Sequence, residues 1–234
     1  MNTFSIKKFS FSRFKIVKTL IFPVLFLFCT ICLFSSCKKE IDYFNYVSEL
    51  RNNIFLAQTD EYSLRVYSVI KESPYAADGI PRETSARTEI YLTAPSGDKT
   101  YELTFTVNGE TYGGELSYDN VRGEYYYSRT LDISKLTELD CTLICDTTQT
   151  QIKATSVLDP NTLSPQTILS GLVKTEAQLF NDMTDDYGFT GEIYIRLIYE
   201  DAPYYYVGVI NRSGCTNAFL LNAYTGKILA KRQS

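Results

Sequence analysis

From Tyr62 onward the chain alternates apolar and polar side chains with a period of two, the mark of half-buried strands. "YSLRVYSVIKE" reads as one strand, and "RTEIYLTAPSG" sets Ile90, Leu92 and Ala94 on a single face. "YELTFTV" is the clearest segment. Tyr101, Leu103, Phe105 and Val107 line one side, and Glu102, Thr104 and Thr106 the other. Asn108-Gly109 then supplies a two-residue hairpin turn, because both residues tolerate the positive φ such a turn requires. "ETYGGELSY", "RGEYYYSRTLDI", "LDCTLICDT" and "TQIKATSV" continue the pattern. About seven short strands over residues 62–158 predict a small antiparallel sandwich of immunoglobulin-like type, although the Cys…Trp…Cys spacing of true immunoglobulin domains is missing.

The period changes after "LDPNTLSPQ". Ser164 can cap a helix, Pro165 suits its first position, and Leu163 can staple onto Ile168. A helix from there to near Asp185 would place Ile168, Leu172, Leu179 and Met183 on one stripe, with Leu169, Val173 and Phe180 beside them. "GEIYIRLIYE", "PYYYVGVINRSG" and "TNAFLLNAYTGKILAKR" follow as strands. Residues 163–234 are therefore expected to form one helix packed on an antiparallel sheet. The overall class is mainly β with an α+β C-terminal part. Residues 37–61 read as a tether to about Asn45 and then a first ordered segment. Val47, Leu50 and Ile54 suit a short helix there, and "NIFLA" suits a strand.

The start of the chain follows neither pattern. Lys7, Lys8, Arg13, Lys15 and Lys18 precede "TLIFPVLFLFCTICLF", 16 residues without a charge, and the first carboxylate is Glu40. A basic stretch, an apolar run and then small residues describe an export signal over residues 1–36. The run closes on Ser35-Ser36-Cys37, which resembles the lipobox of bacterial lipoproteins. That resemblance implies transfer of a diacylglyceryl group to the Cys37 sulfur, cleavage before Cys37, and palmitate-type anchoring at an extracytoplasmic membrane surface. Phe34 stands where the lipobox usually has Leu, and an uncleaved signal anchor is the alternative. Both readings export the remainder of the chain. Cys29 and Cys32 lack small neighbours, since Phe28 and Ile31 precede them.

A second likeness lies at the other end. "LLNAYTGKILAK", Leu220 to Lys231, resembles the last strands of the PepSY module, with Ala223, Thr225, Gly226 and Ile228 matching and Asn222 replacing the usual Asp. The resemblance implies a cystatin-like helix-and-sheet fold that binds and restrains envelope peptidases without catalysing a reaction.

Composition narrows the chemistry further. With 44% hydrophobic and 21% charged residues the chain is globular, and 19 tyrosines suit half-buried strands. It has no His and no Trp, which excludes Ser-His and Cys-His nucleophile pairs and any His-containing zinc site. Residues 37–234 hold 18 basic against 27 acidic side chains, a net of −9, which disfavours nucleic acid as a partner.

Individual candidates are few. Exposed rings at Tyr125, Tyr127, Tyr204 and Tyr206 could stack on a ligand or anchor an interface. Asp182, Asp185 and Asp186 could hold Ca²⁺, though not with the spacing of an EF-hand. Cys141 and Cys145 fall on one face of one strand, too far apart to bridge, and are expected to pack as small apolar groups. Cys215 lies in the turn "NRSGCTN". Glu192 and Glu200 could be nominated as a carboxylate pair, but nothing in the sequence places them in one cleft. No catalytic residue and no cofactor is expected. The sequence points to a lipid-anchored envelope binding or interaction protein, whose partners are the membrane and possible envelope proteins. Peptidase regulation and glycan binding at the cell wall are the alternatives.

Overall fold

The organising element is the segment whose type the sequence left open. In the computed structural model, which describes residues 41–234 apart from Tyr75, a 3-10 turn at Tyr43–Tyr46 leads into strand β1, Val47–Gln58. The Asp42 carboxylate caps that turn by accepting the Phe44 N–H at 3.0 Å. The lipidation expected at Cys37 and the export signal expected over residues 1–36 fall outside the described residues. Residues 41–234 form a single compact unit.

Eight further strands follow before the linker: β2 (Ser63–Glu72), β3 (Thr84–Thr93), β4 (Tyr101–Val107), β5 (Glu110–Glu115), β6 (Ser117–Asp119), β7 (Glu124–Arg129), β8 (Glu138–Cys145) and β9 (Thr148–Ser156). With β1 they pair antiparallel in the order β6-β7-β3-β2-β1-β9-β8-β4-β5. The result is a nearly closed nine-strand barrel and not the expected immunoglobulin-like sandwich. The opening lies between β5 and β6, where the Tyr127 hydroxyl donates to the Gly113 carbonyl at 3.1 Å. A sandwich and a small barrel demand the same alternation of residues along each strand; what separates them is whether the sheet curls onto itself. Here β1 supplies the join between β2 and β9, and β1 carries no clean alternation of its own.

The barrel is solid. Phe55, Leu64, Ile90, Leu103, Phe105, Tyr125 and Leu143 fill it, each at most 2% exposed. Burying one such side chain contributes about 1.5–3 kcal/mol. The alternation read in "YELTFTV" is observed, with Tyr101, Leu103, Phe105 and Val107 all buried.

After the linker come α1 (Pro165–Thr175), α2 (Ala177–Asp182), the two-residue strands β10 (Thr184–Asp185) and β11 (Gly188–Phe189), and then β12 (Gly191–Tyr199), β13 (Pro203–Asn211), β14 (Thr216–Asn222) and β15 (Ile228–Gln233). Ser164 caps α1 as anticipated, its hydroxyl oxygen accepting the Thr167 N–H at 3.1 Å. The single long helix is instead two. The chain leaves helical geometry at Glu176 (φ −107°, ψ 35°), and the Thr175 hydroxyl bonds back to the Gly171 carbonyl. The break rotates the second half, so Phe180 becomes the deeply buried residue and Val173 and Leu179 lie only partly buried.

Strands β12 to β15 form an antiparallel meander, and β12 also runs parallel to the first half of β1, with Val47 opposite Ile193 and Arg51 opposite Arg196. The spans 62–158 and 163–234 thus share one sheet. Halfway along, β1 exchanges β12 for β9, where Phe55 and Leu56 face Ser156 and Thr155. The ladder to β2 shifts by one residue at Arg51/Asn53, directly at this fork. Asn53, 1% exposed, fills the gap: its amide donates to the Ser134 and Leu136 carbonyls at 3.3 and 3.2 Å, and its oxygen accepts the Ser156 hydroxyl at 2.7 Å.

Both helices cover one face of the meander. Ile168, Leu169, Leu172 and Phe180 pack on Ile193, Ile195, Leu197, Tyr205, Val207, Val209, Phe219 and Leu221, with Leu50 and Ile54 of β1. The opposite face carries Glu192, Tyr194 and Arg196 on β12, and Tyr204, Tyr206 and Gly208 on β13.

Candidate binding face

Strand alternation sorts the two tyrosine runs in opposite senses. On β7, Tyr125 points into the barrel, 2% exposed, and its hydroxyl donates to the Ser96 and Lys99 carbonyls at 3.1 and 2.6 Å. Tyr127 packs against the same core. Neither is an exposed ring, and Tyr126 between them faces outward. On β13 the middle residue is the buried one: Tyr205 is 1% exposed and donates to the Leu163 carbonyl at 3.0 Å. Tyr204 and Tyr206 lie partly exposed on the helix-free face. Tyr204 reaches Asp201 at 3.3 Å.

Tyr126 stands directly opposite Tyr91 of β3, and the two rings lie 5.1 Å apart between centroids. Tyr91 in turn contacts Tyr67 of β2 at 5.4 Å. The Arg51 guanidinium sits over Tyr67 at 4.1 Å, and Arg51 pairs in register with Arg196. Arg196 lies over Tyr194 at 4.5 Å, and Tyr194 meets Tyr206 at 5.8 Å. Arg65 and Arg122 each approach the Tyr91 ring at 5.9 Å. A band of tyrosine and arginine thus crosses six neighbouring strands, β13-β12-β1-β2-β3-β7, without interruption.

Its electrostatics are layered. Glu49 grips Arg196 with two hydrogen bonds, at 2.9 and 2.5 Å, Glu89 pairs with Lys71, and Glu124 pairs with Arg65. The carboxylates lie underneath: the Glu49 and Glu89 side chains are 9% and 6% exposed, against 31% for Arg196, 40% for Arg65 and 62% for Arg122. The surface offered to solvent is therefore cationic and aromatic, on a chain that is acidic overall. Burial, and after it the Glu89 charge, push the Tyr91 phenol up to about 12, so it stays a hydrogen-bond donor at any ordinary pH.

Tyr194 takes part because of a glycine. Its ring covers Gly208 on the neighbouring strand, where a β-carbon would come within 2.0 Å of the ring.

Glu192 lies on the same face but serves the backbone. Fully buried, it accepts the Ser48 hydroxyl at 3.1 Å and the Gly79 and Ile80 N–H groups at 2.9 and 3.1 Å. It thereby fastens the loop between β2 and β3. Gly79 has φ +77°, and a β-carbon there would lie 2.6 Å from the Asn211 carbonyl oxygen. Burial raises the Glu192 pKa, opposed by the bonds from Ser48 and Gly79. Glu200 sits exposed in the turn after β12. Eight residues of extended chain separate the two, roughly 26 Å, so they form no carboxylate pair.

The remaining candidates have local roles. Asp182 accepts from the Gln178 amide at 2.6 Å, and Asp185 accepts the Tyr187 and Gly188 N–H groups in the β10–β11 turn. Among the described residues, no group of three or more His, Cys, Asp or Glu is arranged to hold a metal. Cys141 and Cys145 are buried and Cys215 is exposed, all as thiols. Burial pushes the Cys141 thiol up to about 12. Among the described residues no helix is long and apolar enough to cross a membrane.

Comparison of the chain with protein-family models, with curated proteins and with solved structures returned no match.

Proposed function

We propose that this protein is a lipid-anchored binding protein of a bacterial cell envelope, held outside the cytoplasm through Cys37, and that the tyrosine–arginine band is its binding face. The layering of partly exposed guanidinium groups and rings over sunken carboxylates carries the reading. The sunken glutamates need cationic partners, but Arg51 and Arg87, which pair with no described carboxylate, are not required for that. Arginine and tyrosine are also the residues most often found where binding energy concentrates. The solid barrel and the separation of Glu192 from Glu200 favour binding over catalysis.

The anchor is tested by palmitate labelling in a bacterial host. Label is expected on the wild-type chain and not on a Cys37→Ala variant; label that persists in the variant overturns it.

Peptidase restraint is the second reading, and one observation favours it. The Asn222 side-chain oxygen accepts the Tyr224 and Thr225 N–H groups, both at 3.0 Å, so Asn222 serves as an acceptor in the turn where the PepSY motif has Asp. The whole chain, titrated against envelope proteases, should slow at least one of them if this reading holds.

A further inference from the structure

We propose that the ligand of the band is an acidic polysaccharide, one bearing uronate or sulfate groups along its length; this rests on the binding reading above. Three observations lead to it.

The first is shape. Six strands at 4.7–4.9 Å spacing make a track roughly 24 Å long, with partly exposed rings on four of them and Tyr194 buried beneath Arg196 on β12. A narrow row of rings and donors suits one extended chain. A folded protein partner would ask for a broad patch whose centre is depleted of charge, and here guanidinium groups stand beside the rings throughout.

The second is charge. Arg51 and Arg87 make no ion pair with any described carboxylate, and each has a buried Nε without an acceptor among the described residues. By register Arg87 lies on the same outer face, opposite Val69 of β2 and two positions from Glu89. Ser128, opposite Glu89, has a buried hydroxyl in the same condition. A carboxylate or sulfate gives both planar forks an anionic acceptor, where Arg51 now reaches only the Leu197 carbonyl at 3.5 Å among the described residues. A neutral glycan would not.

The third is the background. A net charge of −9 on residues 37–234 and three glutamates beneath the band oppose the dense phosphate charge of nucleic acid. A polysaccharide with one carboxylate or sulfate per sugar carries fewer charges per unit length than duplex nucleic acid, and its hydroxyl groups and ring faces match tyrosine hydroxyls and rings.

The test is affinity electrophoresis of the full chain in native gels containing polygalacturonate, chondroitin sulfate, neutral dextran or polyglutamate. Retardation by polygalacturonate or chondroitin sulfate, weakened by salt and absent in dextran, is expected. The double variant Arg51→Gln/Arg87→Gln should lose at least about tenfold in affinity, the loss of a charged fork contact. Lys153→Gln on β9, away from the band, should leave it unchanged. Matching urea midpoints for wild type and variants would show that folding is not the cause. Equal retardation in dextran, no retardation by either acidic glycan, or indifference to the double variant overturns the proposal. Retardation by polyglutamate alone, with the same arginine dependence, overturns the glycan ligand and leaves the binding face standing.

Discussion

The Ser156 hydroxyl donates to the Asn53 side-chain oxygen at 2.7 Å, across the point where β1 leaves β12 and takes up β9. Strands that diverge leave backbone groups facing a gap, and these two side chains close it. Asn53 also supplies the carbonyls of Ser134 and Leu136, so one amide ties three segments together. Asn53→Ala strands several buried partners at once, each costing about 1–3 kcal/mol if no water reaches it. A loss of at least about 2 kcal/mol is expected in urea unfolding followed by tyrosine fluorescence. A loss under about 0.5 kcal/mol, the size of an ordinary surface change, would show that the fork is not held by this amide.

Gly208→Ala asks the Tyr194 ring to move. The β-carbon would lie 2.0 Å from that ring, so the ring must tilt off its neighbours Arg196 and Tyr206. Overpacking of this kind costs about 1–3 kcal/mol. Wild-type stability together with unchanged chemical shifts for Tyr194 and Tyr206 would contradict the packing described.

Glu192 gives a pH signature. Its pKa is raised in the folded protein above 4.5, chiefly by burial, so the folded state holds its proton more tightly than the unfolded chain does. The stability this contributes is complete below 4.5 and is lost as pH rises through the folded value. Glu192→Gln cannot titrate. Between wild type and this variant, the difference in urea midpoint should therefore shift against the wild type as pH climbs from 4.5. A shift in the opposite direction would mean that the hydrogen bonds from Ser48, Gly79 and Ile80 outweigh burial.

The thiols separate by accessibility. Site-resolved mass spectrometry after brief iodoacetamide treatment of the native chain should find Cys215 labelled and Cys141 and Cys145 protected. With burial pushing its thiol up to about 12, Cys141 holds almost no thiolate at neutral pH while β8 stays closed. Labelling of all three at equal rates would indicate that β8 is not part of a closed core.

Much of this was readable in the sequence, and what was not has physical causes. The inward positions of β4 follow from alternation, and the cap at Ser164 from its hydroxyl and the proline behind it. β1 was ambiguous because it serves two cores: Leu50 and Ile54 go to the helix side and Phe55 to the barrel, so no single period survives. Tyr126 was within reach. It shares parity with Glu124 and Ser128, polar residues suited to the outer face, whereas Tyr125 and Tyr127 do not. The same logic on β13 puts Tyr205 with Val207 and Val209, which leaves Tyr204 and Tyr206 outside. Arg51 and Arg196 are neighbours only through a parallel pairing across 145 residues of chain, which no local pattern encodes.

That parallel pairing also dictates an order of events. Glu49 of β1 bonds to Arg196, 147 residues further along, so the first of the described strands lacks this partner until most of the chain exists. Contacts so distant in sequence are slow to form. As the chain is made, this edge of β1 stays bare until β12 arrives to cover it. An early strand has to wait for a late one.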